Sequence, residues 1–380
     1  MKNSENDFEE IRPYHDSEIN AALKRIAESP FFPPVSQFVF PEKSVEEVKA
    51  MLNNIMSADE FQVKFMHKAV RQVIAKSSDG LTSEGFDMLD PETPYLFISN
   101  HRDIVLDSAI LQTLLVELNI PTTEITFGSN LMINPFIIDF GKVNKMFRVQ
   151  RGGTKLELLK NSIRLSGYIR YTITEKKHSA WIAQRNGRTK DGHDKTEEAL
   201  LKMLNLSDGK GFIEKFLALK IVPLSISYEY EPCGTLKVDE LYKSQQAEYR
   251  KSPGEDLNSI ISGIMNPKGR IHLCAGKCVN EELNSFDENI SPNENISRLT
   301  KIIDKQIYHD YKLWKTNYIA YDMLETPVFS AKYSASEKDD FLNFIEKQIN
   351  TIEGDKKILK EMYLKMYTNP VINYNNIQTD

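Results

Sequence analysis

An α/β fold, with a central mixed, mostly parallel sheet flanked by helices, is predicted for this 380-residue chain by three features of its sequence. Between about residues 80 and 280, short apolar runs alternate with amphipathic stretches, the pattern of strands feeding helices. On either side of that region the apolar residues recur only at three-and-four spacing, which predicts an N-terminal helical leader and a C-terminal helical segment. The turn signal "SSDGL" marks the first changeover. The expected organisation is therefore a helical segment over residues 1–80, an α/β core over 81–283, and a helical segment over 284–380 that packs back on the core.

In chain order, the leader opens with a helix from about Ser17 to Glu28, followed by the Pro-rich "SPFFPPVSQFVFPEK". Ser44 with Glu47 and Ser57 with Glu60 are capping boxes that start two further helices, carried to Ile74 by Val48, Leu52, Ile55, Val63, Met66 and Val70. The core strands are "YLFIS", "EITFGS", "MFRVQR", "SAWIAQ", "IVPLSISYEY" and "RIHLCAGKCV". Helices are expected at "SAILQTLLVEL", "PFIIDFGKV", "KLELLKNSIRLSGYI" and "TEEALLKMLNL". Beyond Asn284, "SPNEN" reads as a short linker, Ile296–Leu324 and Glu337–Met366 as helices, and the tail "NPVINYNNIQTD" has no clear period. Tyr308, Tyr311, Trp314, Tyr318 and Tyr321 share roughly one face of the first of these, which predicts packing against the sheet.

Composition excludes several classes. With 41% hydrophobic and 27% charged residues the chain can bury a large core, and 48 basic against 54 acidic residues give a net charge of −6. That balance argues against a nucleic-acid partner and requires any anion site to be a local pocket. Three cysteines are too few for a disulfide scaffold. No apolar run reaches the roughly 18 residues of a membrane span, and "MKNSENDFEE" lacks the apolar stretch of a signal peptide. A cytoplasmic protein, free or peripherally membrane-associated, is expected.

Chemistry concentrates at strand ends. "FISNHRDIVLD" places Asn100, His101 and Arg102 where a buried strand stops, with Asp103 and Asp107 just ahead. A carboxylate on one imidazole nitrogen fixes the tautomer, so that the other nitrogen can take a proton from an attacking hydroxyl. Asp107, placed about a turn and a half into the next helix, and Asp103 are rival partners. The simpler reading has Asn100 and His101 capping a helix that Asp103 begins. Two cationic turns follow. Arg151 stands ahead of a Gly pair, and Arg185, Asn186, Arg188 and Lys190 surround Gly187, where a glycine lets backbone N–H groups approach a phosphate. Pro223 interrupts "IVPLSISYE" and suggests a wall or edge of the site.

Over about residues 80–280, this order of motifs resembles the glycerolipid acyltransferase superfamily, the glycerol-3-phosphate and 1-acylglycerol-3-phosphate O-acyltransferases. Its N-H-x4-D element corresponds to Asn100, His101 and Asp107, its Phe/Val/Arg element to Phe147 through Arg151, its Gly-x-Arg turn to Arg185 through Arg188, and its V-P strand to Val222-Pro223-Leu224. The chain departs from it twice: five residues separate His101 from Asp107, and Asn186 stands where the family has glutamate before glycine. The resemblance implies a catalytic pair of His101 and Asp107. It further implies an acceptor phosphate held by Arg151, Arg188 and Lys190, an oxyanion near Gly187, and acyl-CoA or acyl carrier protein as the thioester co-substrate. No other cofactor and no metal are required. The implied acceptor is glycerol phosphate or a lysolipid at a membrane surface, in phospholipid biosynthesis. Acylation of an amino-acid-based lipid is an alternative, as is a non-catalytic lipid- or phosphate-binding relative. A hydrolase lacks support, because no G-x-S-x-G nucleophile element is present.

Cys274 and Cys278 read as small core residues, and His15, His67, His178, His193, His272 and His309 have no partners at metal-ligand spacing.

Overall fold

The structure is a computed structural model and describes residues 5–207, 211–252 and 254–379. The first four residues of the leader, three after "LNLS", Pro253 and the last residue lie outside the described set.

Seven described strands form one sheet: β1 (Leu81–Glu84), β2 (Leu96–Ser99), β3 (Glu124–Gly128), β4 (Met146–Val149), β5 (Ala180–Ala183), β6 (Ile221–Tyr228) and β7 (Ile271–Ala275), in the order β1-β7-β6-β2-β5-β3-β4. Every pairing is parallel except β6 with β7, so β2 to β6 end on one edge and β1 and β7 run the other way. The alternation in β2 explains the layering. Leu96 and Ile98 join a cluster with Leu165, Ile169, Leu299 and Ile303 on one face. Phe97 joins Ile110, Leu111, Leu114 and Val73 on the other. Helices Lys155–Thr174 and Pro292–Asp310 thus cover one face, and Leu106–Glu117 and His67–Ser77 the other. Leu106–Glu117 is buried over nearly its whole circumference, which accounts for the weak apolar periodicity of its sequence.

The leader helices close a cluster of their own around Leu23, Phe32, Leu52 and Phe61, joined to the core through Val143. The last helices do the same around Val238, Ile319, Phe341 and Tyr367.

Several expectations change. The Pro-rich segment holds a helix, Phe32–Val39, because its prolines fall in the first turn, where no N–H partner is lost. β1, read as part of a turn, pairs with β7 at the sheet edge; its residues are largely exposed, so "LTSE" carries no apolar run. Pro223 does not break the strand. β6 is continuous and buried in the sheet interior, and Pro223 sits one position outside the β6–β7 ladder, where its missing N–H costs nothing there. "SPNEN" begins a helix rather than a linker, with Ser291 accepting from the Glu294 N–H. The expected helix over 296–324 is two, Pro292–Asp310 and Lys315–Leu324, so the five aromatic residues do not share one helical face. The segment expected as Glu337–Met366 is likewise two, Ala335–Ile349 and Lys356–Thr379, and the second absorbs the tail. Two helices between β6 and β7, Gly234–Gln246 and Glu255–Met265, complete the surroundings of the site.

Candidate active site

The helix after β2 begins at Leu106, three residues after Asp103. Asp103, not Asn100 or His101, performs the capping: its Oδ1 accepts from the N–H groups of Val105 and Leu106, both at 2.9 Å. Asp107 therefore sits in the first turn, at the positive end of the helix, and faces back over the strand end. Its Oδ2 lies 2.9 Å from His101 Nδ1 and accepts from the N–H groups of Arg102 (2.6 Å) and Asp103 (2.9 Å). Its Oδ1 accepts from the Tyr228 hydroxyl at 2.9 Å. The arrangement makes Nδ1 the donor and leaves the lone pair on Nε2. Among the described residues Nε2 has no hydrogen-bond partner, and the side chain keeps 13% exposure.

The geometry thus selects Asp107 over Asp103 as the carboxylate beside His101. Asp103 is buried against Cys233 and the helix Glu255–Met265, and burial, followed by the neighbouring Asp107 charge, pushes its carboxyl up. The one-residue excess between His101 and Asp107 is accommodated in the cap, where "RDIV" makes its turn before the helix starts. Sequence reasoning missed Tyr228. Burial, then the Asp107 charge, hold its phenol well above the usual range, which keeps it a donor to Asp107. It also missed Trp181, whose ring meets the His101 ring edge-on at 6.0 Å. Neither has a local sequence signal, since each is simply an aromatic residue in a buried strand.

The cationic residues divide. Asn100 is fully buried, its amide spent on Ile226 and Asp194. Arg102, expected to bind substrate, is 1% exposed. Its guanidinium bonds Asp194 and, at 2.8 Å, Glu231, while the Tyr311 ring covers it at 5.1 Å. Burial opposes its charge, but Asp194, Tyr311 and Glu231 outweigh burial and hold its pKa well above the ordinary value. Lys190 is paired with Glu240, leaving its charge answered within the protein. Arg185 lines a cavity of about 570 Å³ with Asp191, His193 and Asp304. Asn100, Arg102 and Lys190 thus have their polar groups answered within the protein, whereas Arg185 faces a cavity.

Arg151 stands on the loop after β4, and Gly187 and Arg188 on the loop after β5. The Thr189 N–H bonds the His101 carbonyl at 2.8 Å, which holds Arg188 beside the histidine. Arg188 uses Nη2 on Ser259 Oγ, while Nη1 is buried without a partner. Arg151 is exposed, its N–H on Ser129 Oγ at 2.9 Å. Its charge feels Glu197 and Asp256, and Asp256 also acts on Arg188. Asn186 is exposed and its N–H bonds Glu197, and Gly187 turns the chain at φ +85°, a conformation that favours glycine.

The closest backbone approach to the site has a measurable consequence. A Cβ on Gly263 would stand 2.1 Å from Asp103 Oδ2. Gly263→Ala is therefore expected to cost about 1–3 kcal/mol in urea unfolding, by forcing apart the helix Glu255–Met265 and the Asp103 cap. A loss below about 0.5 kcal/mol, the range of a neutral surface change, would contradict that closeness.

Asp304, in the wall of the 570 Å³ cavity, supplies a pH signature. Burial pushes its carboxyl from 3.8 up to about 6, against the hydrogen bond from the Thr196 N–H. The folded state holds this proton more tightly than the unfolded chain. Folding thus takes up a proton between those two values, so the contribution to stability is greatest below the lower value and is lost as pH rises through the higher. Asp304→Asn keeps an acceptor for Thr196 and is expected to flatten that part of the curve, adding up to about 2 kcal/mol above pH 7. An unchanged slope in urea unfolding across this range would sink the assignment.

Fold and site together define an α/β protein with a histidine–carboxylate pair at the carboxyl edge of its sheet, the carboxylate buried and the imidazole partly accessible. No protein-family model and no curated protein match the chain. Among solved structures it is similar to the 1-acyl-sn-glycerophosphate (LPA) acyltransferase PlsC from Thermotoga maritima, with 12% identity and a TM-score of 0.36 over 75% of this chain and 96% of that one. No described helix is long and apolar enough to cross a membrane.

Proposed function

We propose that the protein is an O-acyltransferase that moves a fatty acyl group from acyl-CoA or acyl carrier protein to a hydroxyl of glycerol 3-phosphate or a lysophospholipid. The observation that carries this reading is the His101–Asp107 pair, with Nδ1 held at 2.9 Å and Nε2 open. His101 Nε2 takes the proton of the acceptor hydroxyl as its oxygen bonds to the thioester carbonyl carbon. The C–S bond then breaks, and the departing thiolate recovers that proton. Asp107 stabilises the imidazolium formed between these events. All four of its neighbours donate to it, so the group they suit is a carboxylate.

Arg188, with one guanidinium nitrogen buried and unpartnered, is the first candidate for the acceptor phosphate, and Arg151 the second. The positive-φ turn at Gly187 offers backbone N–H groups to the oxyanion. Beside Arg151, the helix Lys155–Thr174 presents Leu156, Leu159 and Ile163 outward at 62%, 49% and 46% exposure, spaced to share one face. An exposed apolar stripe next to a site of this chemistry suits a lipid surface or an acyl chain, and supports peripheral membrane association.

The test is transfer of labelled palmitate from palmitoyl-CoA and from palmitoyl carrier protein to glycerol 3-phosphate, lysophosphatidic acid and a hydroxyacyl amino-acid lipid. Product on one acceptor names the substrate. If no pair yields product while the protein still binds lysolipid, the enzyme reading fails and a non-catalytic binder replaces it.

A further inference from the structure

On the sheet face opposite the one covered by helix Leu106–Glu117, β1 and β7 bring together three side chains that are far apart in sequence. Thr82 pairs with His272 and Glu84 with Cys274, so His272, Cys274 and Glu84 lie on the same side of adjacent strands. One ligand atom from each of Glu84, His272 and Cys274 falls within 4.8 Å of the others. We propose that these three residues form a binding site for a divalent cation of the zinc class. Thiolate, imidazole and carboxylate are the donors zinc accepts, and three protein ligands with one open position is a common zinc arrangement.

Three observations support the assignment independently of one another. The first concerns the histidine tautomer. Thr82 Oγ1 lies 2.8 Å from His272 Nδ1 and 3.3 Å from the Ile271 carbonyl; with the hydroxyl donating to that carbonyl, Nδ1 donates to Thr82 and the lone pair falls on Nε2. This is the outer hydrogen bond that orients metal-bound histidines. The second is access. The triad lines a cavity of about 470 Å³, where a fourth ligand or water can reach the ion, and Glu84 is exposed at the sheet edge. The third is charge and unmet polarity. Asp310 also lines the cavity and adds a further carboxylate to it. Ser227, opposite His272 across the β6–β7 ladder, is fully buried with its hydroxyl unpartnered among the described residues.

In a tetrahedral zinc site neighbouring ligand atoms stand about 3.5 Å apart, so the three donors must draw together by about an ångström. Glu84, on an exposed edge strand, is free to supply most of that movement. The ion would tie β1 to β7. The site is separate from the His101 site, with β6 lying between β7 and β2, and it stands or falls without the acyltransferase reading.

The test uses the full chain, stripped with chelator and titrated with Co²⁺ and then Zn²⁺. Wild type is expected to bind one equivalent, to show a thiolate-to-cobalt charge-transfer band, and to gain thermal stability with Zn²⁺. Cys274→Ser should abolish the band; Cys278→Ser should keep it. Glu84→Gln and His272→Gln should weaken Zn²⁺ at least about tenfold in competition with a chromophoric chelator, and Thr82→Val by about 10- to 100-fold. Glu84→Gln alters only an exposed side chain, so it remains decisive if a buried variant fails to fold. Absence of the band in folded wild type, its survival in Cys274→Ser, or unchanged Zn²⁺ affinity in Glu84→Gln would each overturn the proposal.

Discussion

Replacing His101 by alanine is expected to lower acyl transfer on the order of a thousandfold, with the acceptor KM nearly unchanged, because the base acts on the hydroxyl proton and not on the phosphate. Asp107→Asn should reach a similar loss for a different reason. The amide must either turn its N–H₂ toward donors or lose the bond to Nδ1, and an imidazole in the wrong tautomer presents N–H instead of a lone pair to the acceptor. Circular dichroism should show both variants folded, since His101 keeps only that one side-chain bond and asparagine fills the aspartate volume. Tyr228→Phe, which removes one of the four donors to Asp107, is the graded companion, with a smaller loss in kcat. Single-turnover rates decide the matter: a His101→Ala enzyme within a few fold of wild type would remove the histidine from the reaction.

The largest loss of stability is expected at Arg102. Arg102→Met would leave Asp194 and Glu231 buried with one partner fewer, and breaking a buried charge network from one side typically costs about 3–5 kcal/mol. Glu231 would retain Lys237 at 2.6 Å, so Asp194 bears most of the damage. Burial raises the Glu231 carboxyl, but Lys237 and Arg102 together hold it below the ordinary range. Arg102→Lys should rescue little, because a single ammonium cannot bond both carboxylates in the positions that the planar fork reaches. Urea unfolding measures the cost. A loss under about 1 kcal/mol would mean that water enters and solvates the two acids, and that Arg102 is not the keystone of the loop. The Arg102 backbone N–H, which methionine keeps, bonds Asp107, so a shift of the loop reaches the His101–Asp107 pair and activity should fall with stability in this variant, in contrast to His101→Ala.

The C-terminal helices reach the site through the same network. Tyr311 covers Arg102, and the Tyr367 hydroxyl accepts from the Glu231 N–H at 2.9 Å. The turn after β5 leans on them too: a Cβ on Gly192 would stand 2.1 Å from the Met366 carbonyl oxygen, and Asn369 donates to the Asp191 carbonyl. The helical segment after residue 284, which carries no candidate site residue, thus buttresses the loops that do.

How far the site was legible depends on the reach of each signal. β2, β5, β6 and β7 announce themselves because each is a buried, mainly apolar run, and β3 and β4 through their apolar alternation. β1 does not, because its side chains face water and its pairing with β7 spans some 190 residues. The His101–Asp107 pair is local, six residues apart, and so could be read. The choice between Asp103 and Asp107 rested on where the helix starts, which is set by a cap that propensity cannot place to one residue. Arg102 and Lys190 looked like ligand cations because a sequence displays charges without their partners. Asp194 and Glu231 lie 92 and 129 residues from Arg102, and Glu240 lies 50 from Lys190.

By itself, then, the sequence determined the layered α/β class, the helical flanks, and the histidine with its acid at a strand end, since these rest on short-range periodicity and spacing. The tertiary structure alone decided which cations stay open to a ligand and which are consumed in the core. It also decided that His272, Cys274 and Glu84 meet. The physical reason is common to both: the partner of a buried polar group is chosen by strand order and helix packing, and neither is encoded in the spacing of residues along the chain.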